Sequence, residues 1–171
     1  MNNIILALDQ HVIDPSISTE NRSNYYLRYA ARAVLKDESG KVALMFAGQR
    51  QYYKLPGGGI DDGEEVLTAI ARELLEETGC AAEITGEIGL VEEWRDFDRM
   101  HQISYAFTAT KTEQVSNPAF TQSELDEGFE VRWIANIEEA IHLVEKEAFH
   151  DDVEVRFMAQ RDTAILRAAV K

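Results

Sequence analysis

This sequence is short of several things, and each shortage excludes something. It has a single cysteine, Cys80, so no disulfide can form within the chain and a reducing compartment is expected. No run of about 18 apolar residues occurs, which excludes a membrane-spanning helix. The opening MNNIILALDQ lacks a basic n-region and its apolar run is too short for a signal peptide, so the expected location is cytoplasmic. Lys and Arg number 17 against 31 Asp and Glu, a formal charge of −14, and the arginines are scattered along the chain. A nucleic-acid partner calls for a basic cluster, and none is visible. Neither nucleic acid nor membrane is therefore expected as a partner. An acidic protein can still take an anionic small molecule if metal cations bridge the two. Internal repeats, low-complexity tracts and linkers are also missing. The 171 residues read as one domain, 1–171, with 1–24 as a weakly patterned N-terminal extension.

What is present is an ordinary globular composition, 45% hydrophobic and 28% charged. A short strand is expected over Ile4–Leu8, then a polar loop over Ser16–Asn24. LRYAARAVL (27–35) and KVALMFA (41–47) read as strands joined by the turn KDESG. KLPGGGIDDG (54–63) is too rich in Gly and Pro to be regular. EEVLTAIARELLEET (64–78) predicts a helix stopped by Gly79. Residues 81–94 and 101–111 read as long strands around a turn at Asp96–Arg99, followed by an acidic loop (112–128) and a strand FEVRWI (129–134). Two helices close the sequence, over 136–148 with Asn136 as cap and over 151–170 starting at Asp151 or Asp152. Runs of strands with few helices between them predict an α+β sandwich with a mixed sheet and argue against a doubly wound nucleotide fold. Gly57, Gly58 and Gly59 make neither G-x-G-x-x-G nor a Walker loop.

The stretch RELLEETG (72–79) breaks two rules of helix electrostatics. Glu73, Glu76 and Glu77 stand at the negative end of a helix dipole and are spaced i, i+3, i+4, where they repel one another. At about 100° per residue, Val66, Ala69 and Ile70 share a side with Glu73 and Glu77. Leu67, Ala71, Leu74 and Leu75 form a second apolar side, so the helix is expected to be buried on two sides in its first half. Carboxylates that continue a core stripe need a cation or must protonate. With no histidine or cysteine nearby, the spacing suits a hard ion, Mg²⁺ or Mn²⁺ rather than Zn²⁺; Ca²⁺ would have no EF-hand loop.

The segment GGIDDGEEVLTAIARELLEETGC (58–80) resembles the Nudix box, G-x5-E-x7-R-E-U-x-E-E-x-G-U. Gly58, Glu64, Arg72, Glu73, Leu74, Glu76, Glu77 and Gly79 fall in register; Cys80 replaces the final aliphatic residue and packs as a small hydrophobe. The resemblance implies a Nudix-type α/β/α sandwich with a mixed sheet. It also implies a metal-dependent hydrolase of nucleoside diphosphates linked to another moiety, X. On that reading Glu73, Glu76 and Glu77 hold the metal with a carbonyl of Gly57 or Gly58, and Arg72 pairs with the acids. Glu64 is structural or touches the site through Arg72. A further carboxylate is expected from TQSELDEGFEVRW, which offers Glu124, Asp126, Glu127 and Glu130, with Glu127 favoured, Glu124 second, and Glu130 solvated.

The mechanism implied is attack of water at phosphorus. The metal lowers the pKa of the water and Glu73, Glu76 or Glu127 takes its proton. Arg50 and Lys54, flanking the loop, are the candidate substrate-binding cations. Tyr25, Tyr26, Tyr52, Tyr53, Trp94 and Phe97 could stack on a base or pack in the core. Arg95 stands where some ADP-ribose-cleaving relatives carry proline. A nucleoside triphosphate, normal or oxidised, is the expected substrate. ADP-ribose, a nucleotide sugar, and a non-catalytic nucleotide-binding module are the alternatives. The sequence leaves a homodimer open.

Overall fold

The computed structural model describes residues 3–15 and 21–170. Residues 16–20, most of the polar loop expected near the start, lie outside the described residues.

The chain forms a mixed α+β structure around a seven-stranded sheet. Strand β2 (Tyr26–Lys36) turns at Asp37 into β3 (Val42–Ala47). Asp37 Oδ1 accepts from the backbone N–H of Ser39 and Lys41, each at 2.9 Å, and Gly40 supplies the positive φ of 82° that closes the turn. Strand β1 (Ile4–Asp9), β5 (Cys80–Arg95) and β6 (Met100–Gln114) complete the larger part, in the order β1-β5-β6-β2. β5 and β6 form a long antiparallel hairpin, whereas β1 lies parallel to β5 and β2 parallel to β6. The N-terminal segment thus supplies an edge strand. On the other side, β3 pairs antiparallel with β7 (Phe129–Ile134) and with β4 (Tyr52–Lys54).

Period-2 alternation along β2 divides the molecule into layers. Ala31, Ala33 and Leu35 face helix α2 (Val66–Thr78) and pack with Ile70, Leu74 and Phe107. Val34 faces the other way. It packs with Leu44, Val91 and Ile134 against α4 (Ile137–Lys146) and α5 (Val153–Ala168), which contribute Val144, Ile165 and Leu166. Helices on both faces explain why the inner half of β2 is buried throughout. Asn136 and Asp152 cap α4 and α5 by accepting from the N–H of Glu139 (2.8 Å) and Glu154 (2.9 Å).

Three expectations need correction. Helix α2 buries one face, not two: Ala69, Ile70 and Leu74 are inside, but Leu67 is 56% and Leu75 38% exposed. Hydrophobic period alone cannot say whether a second element covers a second stripe. The acidic loop holds a one-turn helix, α3 (Gln122–Asp126), started by a capping box in which Thr121 and Glu124 satisfy each other's backbone N–H. The three-residue strand β4 was not expected, and its last residue, Lys54, falls in the segment expected to be irregular; it is too short to show alternation. A short helix, α1 (Gln10–Ile13), follows β1. Among the described residues no helix is long and apolar enough to cross a membrane.

Candidate active site

The loop 55–60 runs beside β2 and is pinned to it. Ala33 N–H donates to the Pro56 carbonyl (3.1 Å), Ala31 N–H to that of Gly58 (2.9 Å), and Ile60 N–H to that of Tyr29 (3.1 Å). This approach needs glycine at position 57. Its φ is +129°, and a Cβ there would stand 2.1 Å from the Ala31 carbonyl oxygen. At Gly58 a Cβ would stand 2.3 Å from Glu73 Oε1, so the carboxylate occupies the space a side chain would fill. The helix end is fixed by Gly79 (φ 70°), whose N–H reaches the Leu75 carbonyl at 2.9 Å.

Glu73, Glu76, Glu77, Arg72, Gly57 and Gly58 line one cavity of about 370 Å³. Glu77 is only 4% exposed. Its oxygens accept from the Gly57 N–H (2.6 Å) and the Lys54 ammonium (3.1 Å). Arg72 spans the remaining acids. It makes two bonds of 2.9 Å to Glu64, one of 2.9 Å to Glu73 and one of 3.2 Å to Glu76, and it donates to the Gly59 carbonyl (3.1 Å). The crowded helix end is therefore relieved in part by two protein cations, Arg72 and Lys54. Burial pushes the Glu73 carboxyl up; the Arg72 bond opposes this and the Glu77 charge adds to it. Glu64 is held below the usual range by its bond to Arg72.

The donors fit a divalent ion by chemistry, since three carboxylates and a glycine turn share one cavity wall. Yet among the described residues no three His, Cys, Asp or Glu groups are gathered as a ready metal cage. The physical reason is visible: Glu77 is turned to Lys54 and Gly57, while Glu73 and Glu76 are turned to Arg72.

Of the two loop acids singled out from sequence, Glu124 lines this cavity and Glu127 lines a neighbouring one. Glu124 Oε2 accepts from the Thr121 N–H and hydroxyl, each at 2.8 Å. Glu127 pairs with Arg50 at 2.9 Å, and Arg50 also holds Asp152 (3.2 Å) and Glu154 (3.0 Å). Glu130 is exposed and bonds Arg132 at 2.6 Å.

The neighbouring cavity, about 320 Å³, was not legible in the sequence. It shares Arg28, Arg32 and Lys54 with the acidic cavity and adds Arg50, Arg95 and Arg161. The arginines scattered in sequence thus converge in space. Parallel pairing of β2 with β6 and packing of α5 bring them together. Arg161 is held by the buried Asp162 (2.7 Å) and Arg95 by the buried Glu93 (2.7 Å). Asp162 also accepts the Leu55 N–H at 2.8 Å, tying α5 to the glycine loop. Burial, and then the Arg161 charge, push Arg32 down to about 9. Tyr26, Tyr52 and Phe129 lie on this cavity, while Trp94 is stacked on His101 at 3.8 Å and Tyr25 bonds Asp96.

Comparison with known proteins agrees with this architecture. The NUDIX domain model matches residues 26–156. An RNA pyrophosphohydrolase of Dinoroseobacter shibae is 40% identical over 76 residues, which are 42% of this chain and 46% of that protein. A Bacillus subtilis protein named as a candidate 8-oxo-dGTP diphosphatase is 34% identical over 71 residues, 42% of this chain and 48% of that protein. The matched stretch thus spans about half the length of these curated relatives. Among solved structures, a NUDIX hydrolase from Nitrosomonas europaea superposes with a TM-score of 0.59 at 19% identity, covering 80% of this chain and 88% of that one. A MutT protein from Methanosarcina mazei Go1 gives 0.58 at 18% identity, covering 86% and 98%. At these identities the likeness shows the fold.

Proposed function

The chain belongs to the NUDIX family, and on that premise we propose that residues 1–171 act as one metal-dependent pyrophosphohydrolase domain, cleaving a nucleoside triphosphate, normal or oxidised. One observation carries this reading. The acidic face of α2 and the glycine turn line a cavity that shares Arg28, Arg32 and Lys54 with an arginine-lined one. Carboxylates suited to a cation stand beside guanidinium groups suited to phosphates.

Glu73, Glu76 and Glu77 would hold Mg²⁺ or Mn²⁺, together with a backbone carbonyl of Gly57 or Gly58. Gly57 is the better of the two, because the Gly58 carbonyl already accepts the Ala31 N–H. Bound there, the ion supplies an acidified water and neutralises pyrophosphate charge. Glu73, Glu76 or the loop carboxylate would take the proton from the attacking water. Arg72 orients Glu73 and Glu76. Lys54 transfers from Glu77 to a phosphate oxygen. Glu124 is the loop carboxylate that joins the acidic group, in place of Glu127, which is committed to Arg50. Arg50 then keeps the cavity wall together and does not itself bind substrate. The cytoplasm, with its reduced thiols and nucleotide pool, suits such an enzyme and its single buried cysteine.

The name of the Dinoroseobacter relative favours a second reading, removal of pyrophosphate from the 5′ end of an RNA. One experiment separates the alternatives: phosphate or pyrophosphate release from nucleoside triphosphates, 8-oxo-dGTP, ADP-ribose, a nucleotide sugar and a 5′-triphosphorylated oligonucleotide, each with Mg²⁺ or Mn²⁺. Turnover of the free triphosphates supports the proposal. Turnover of the oligonucleotide alone supports the second reading, and no turnover of any substrate returns the chain to a binding module.

A further inference from the structure

The six cations of the arginine-lined cavity are not equally neutralised. Arg50, Lys54, Arg95 and Arg161 each meet a carboxylate. Among the described residues, Arg28 and Arg32 have no carboxylate within ion-pair distance. The Arg28 guanidinium donates to the neutral Gln102 side chain, and Arg32 donates to the Ala31 carbonyl at 2.9 Å. Arg32 is 6% exposed, and its Nε is buried with no hydrogen-bond partner. Asp162 and Glu77 act on Arg32, and Glu93 on Arg28, only from beyond contact distance; a buried guanidinium with no carboxylate in direct contact and an unmet donor is costly. Both residues lie on the wall common to the two cavities, and Arg28 also stands against the glycine loop, 3.1 Å from where a Cβ of Gly59 would be. Their positions are set by strand alternation: both are even-numbered residues of β2, on the side opposite Ala31, Ala33 and Leu35.

We propose that Arg28 and Arg32 are specificity-determining residues that bind a further anionic phosphate of the substrate, beyond the two phosphates joined by the cleaved bond. This rests on the hydrolase reading and sharpens it. The site would select substrates by phosphate number, favouring nucleoside tri- or polyphosphates over a nucleoside diphosphate joined to a neutral sugar. A phosphate there makes the direct ion pair that neither guanidinium has and accepts the unused donors. Guanidinium is the group best matched to phosphate geometry. Arg32 is buried, so little solvent screens such a contact.

Two measurements test this. The first uses metal-free protein and inorganic tripolyphosphate, with adenosine as the uncharged control, read by thermal shift. Tripolyphosphate should raise the melting temperature of the wild type and adenosine should not. Arg28→Gln should weaken tripolyphosphate binding about 10- to 100-fold, the loss expected for one charged hydrogen-bonding group. Arg28→Lys should restore part of it. The second compares kcat/KM for ATP and ADP-glucose with metal present. Arg28→Gln should lower the ATP to ADP-glucose ratio at least tenfold, chiefly through the ATP value. The proposal is overturned if tripolyphosphate fails to stabilise the wild type, a result that needs no variant to fold. It is equally overturned if Arg28→Gln binds tripolyphosphate as the wild type does. If tripolyphosphate binding depends on Arg28 but no nucleotide is hydrolysed, the anion site stands and the hydrolase reading fails. If ATP is hydrolysed with an unchanged ratio in Arg28→Gln, the hydrolase reading stands and this inference fails.

Discussion

Neutralising Glu77 is the most instructive perturbation, because sequence and structure give opposite signs for it. From sequence alone, Glu77→Gln removes a repelling charge from a crowded helix end and leaves the metal-free fold equally or more stable. That relief amounts to about 0.2–0.5 kcal/mol for an i, i+4 like-charge pair. The structure puts a larger loss against it. Glu77 is 4% exposed and accepts from both the Gly57 N–H at 2.6 Å and the Lys54 ammonium at 3.1 Å. Glutamine retains one oxygen for the Gly57 N–H. The charge-assisted bond to Lys54 goes, at a cost of about 1.5–3 kcal/mol. The net is a destabilisation of roughly 2 kcal/mol, which for a chain of this size lowers Tm by about 4–8 °C. Lys54 can recover part of the cost by swinging its ammonium toward water. Thermal or urea unfolding of chelator-treated wild type and Glu77→Gln measures the difference. An unchanged or higher Tm for the variant would refute the buried-pair account and restore the reading of simple charge crowding. With metal and substrate supplied, the same variant should lose more than about 100-fold in turnover, the scale on which even outer partners of a metal site act.

Other outcomes follow from the same geometry. Gly57→Ala should be strongly destabilising, because its Cβ would meet a backbone carbonyl at 2.1 Å in a left-handed conformation; a urea midpoint within error of wild type would contradict this. Gly58→Ala meets only the flexible end of Glu73, so it should keep its melting temperature within a few degrees and lose activity by displacing that carboxylate; unchanged kcat would remove Glu73 from the active constellation. Glu93 is fully buried; burial alone would raise its carboxyl, but the charges of Arg161 and Arg95 outweigh that and hold it below the usual range. A depressed folded pKa gives stability that is present above the unfolded value, about 4.3, and is lost as pH falls toward the folded one. Stability measured below pH 5 should therefore decline less steeply in Glu93→Gln than in wild type, and equal slopes would contradict the assignment.

Helix α2 and its glutamates were legible because their information is local. A 3.6-residue period, a glycine stop and a box of fixed spacing all lie within one element. The β2–β3 and β5–β6 hairpins were legible for the same reason, through strand-like runs bounded by turn residues. Helix α3 carried a readable signal, Thr121 three residues before Glu124, that the acidic composition around it obscured. The exposed Leu67 and Leu75 show the limit of periodicity, which marks an apolar stripe without saying what covers it. The arginine-lined cavity had no local signature. Arg28, Arg32, Arg95 and Arg161 come from three elements, and only parallel pairing and the packing of α5 bring them to one place. The partners that hold Arg50, Asp152 and Glu154, likewise lie about a hundred residues away in sequence.

The central claim is that the carboxylates of α2 make this chain a metal-dependent pyrophosphohydrolase. The most direct test is turnover of a nucleoside triphosphate by chelator-treated protein as Mg²⁺ or Mn²⁺ is titrated back, for wild type and Glu73→Gln in parallel. The account predicts no turnover without metal, saturable turnover with it, and a loss of more than about 100-fold in the variant. Equal turnover with and without metal, or a Glu73→Gln variant as active as wild type, would contradict it.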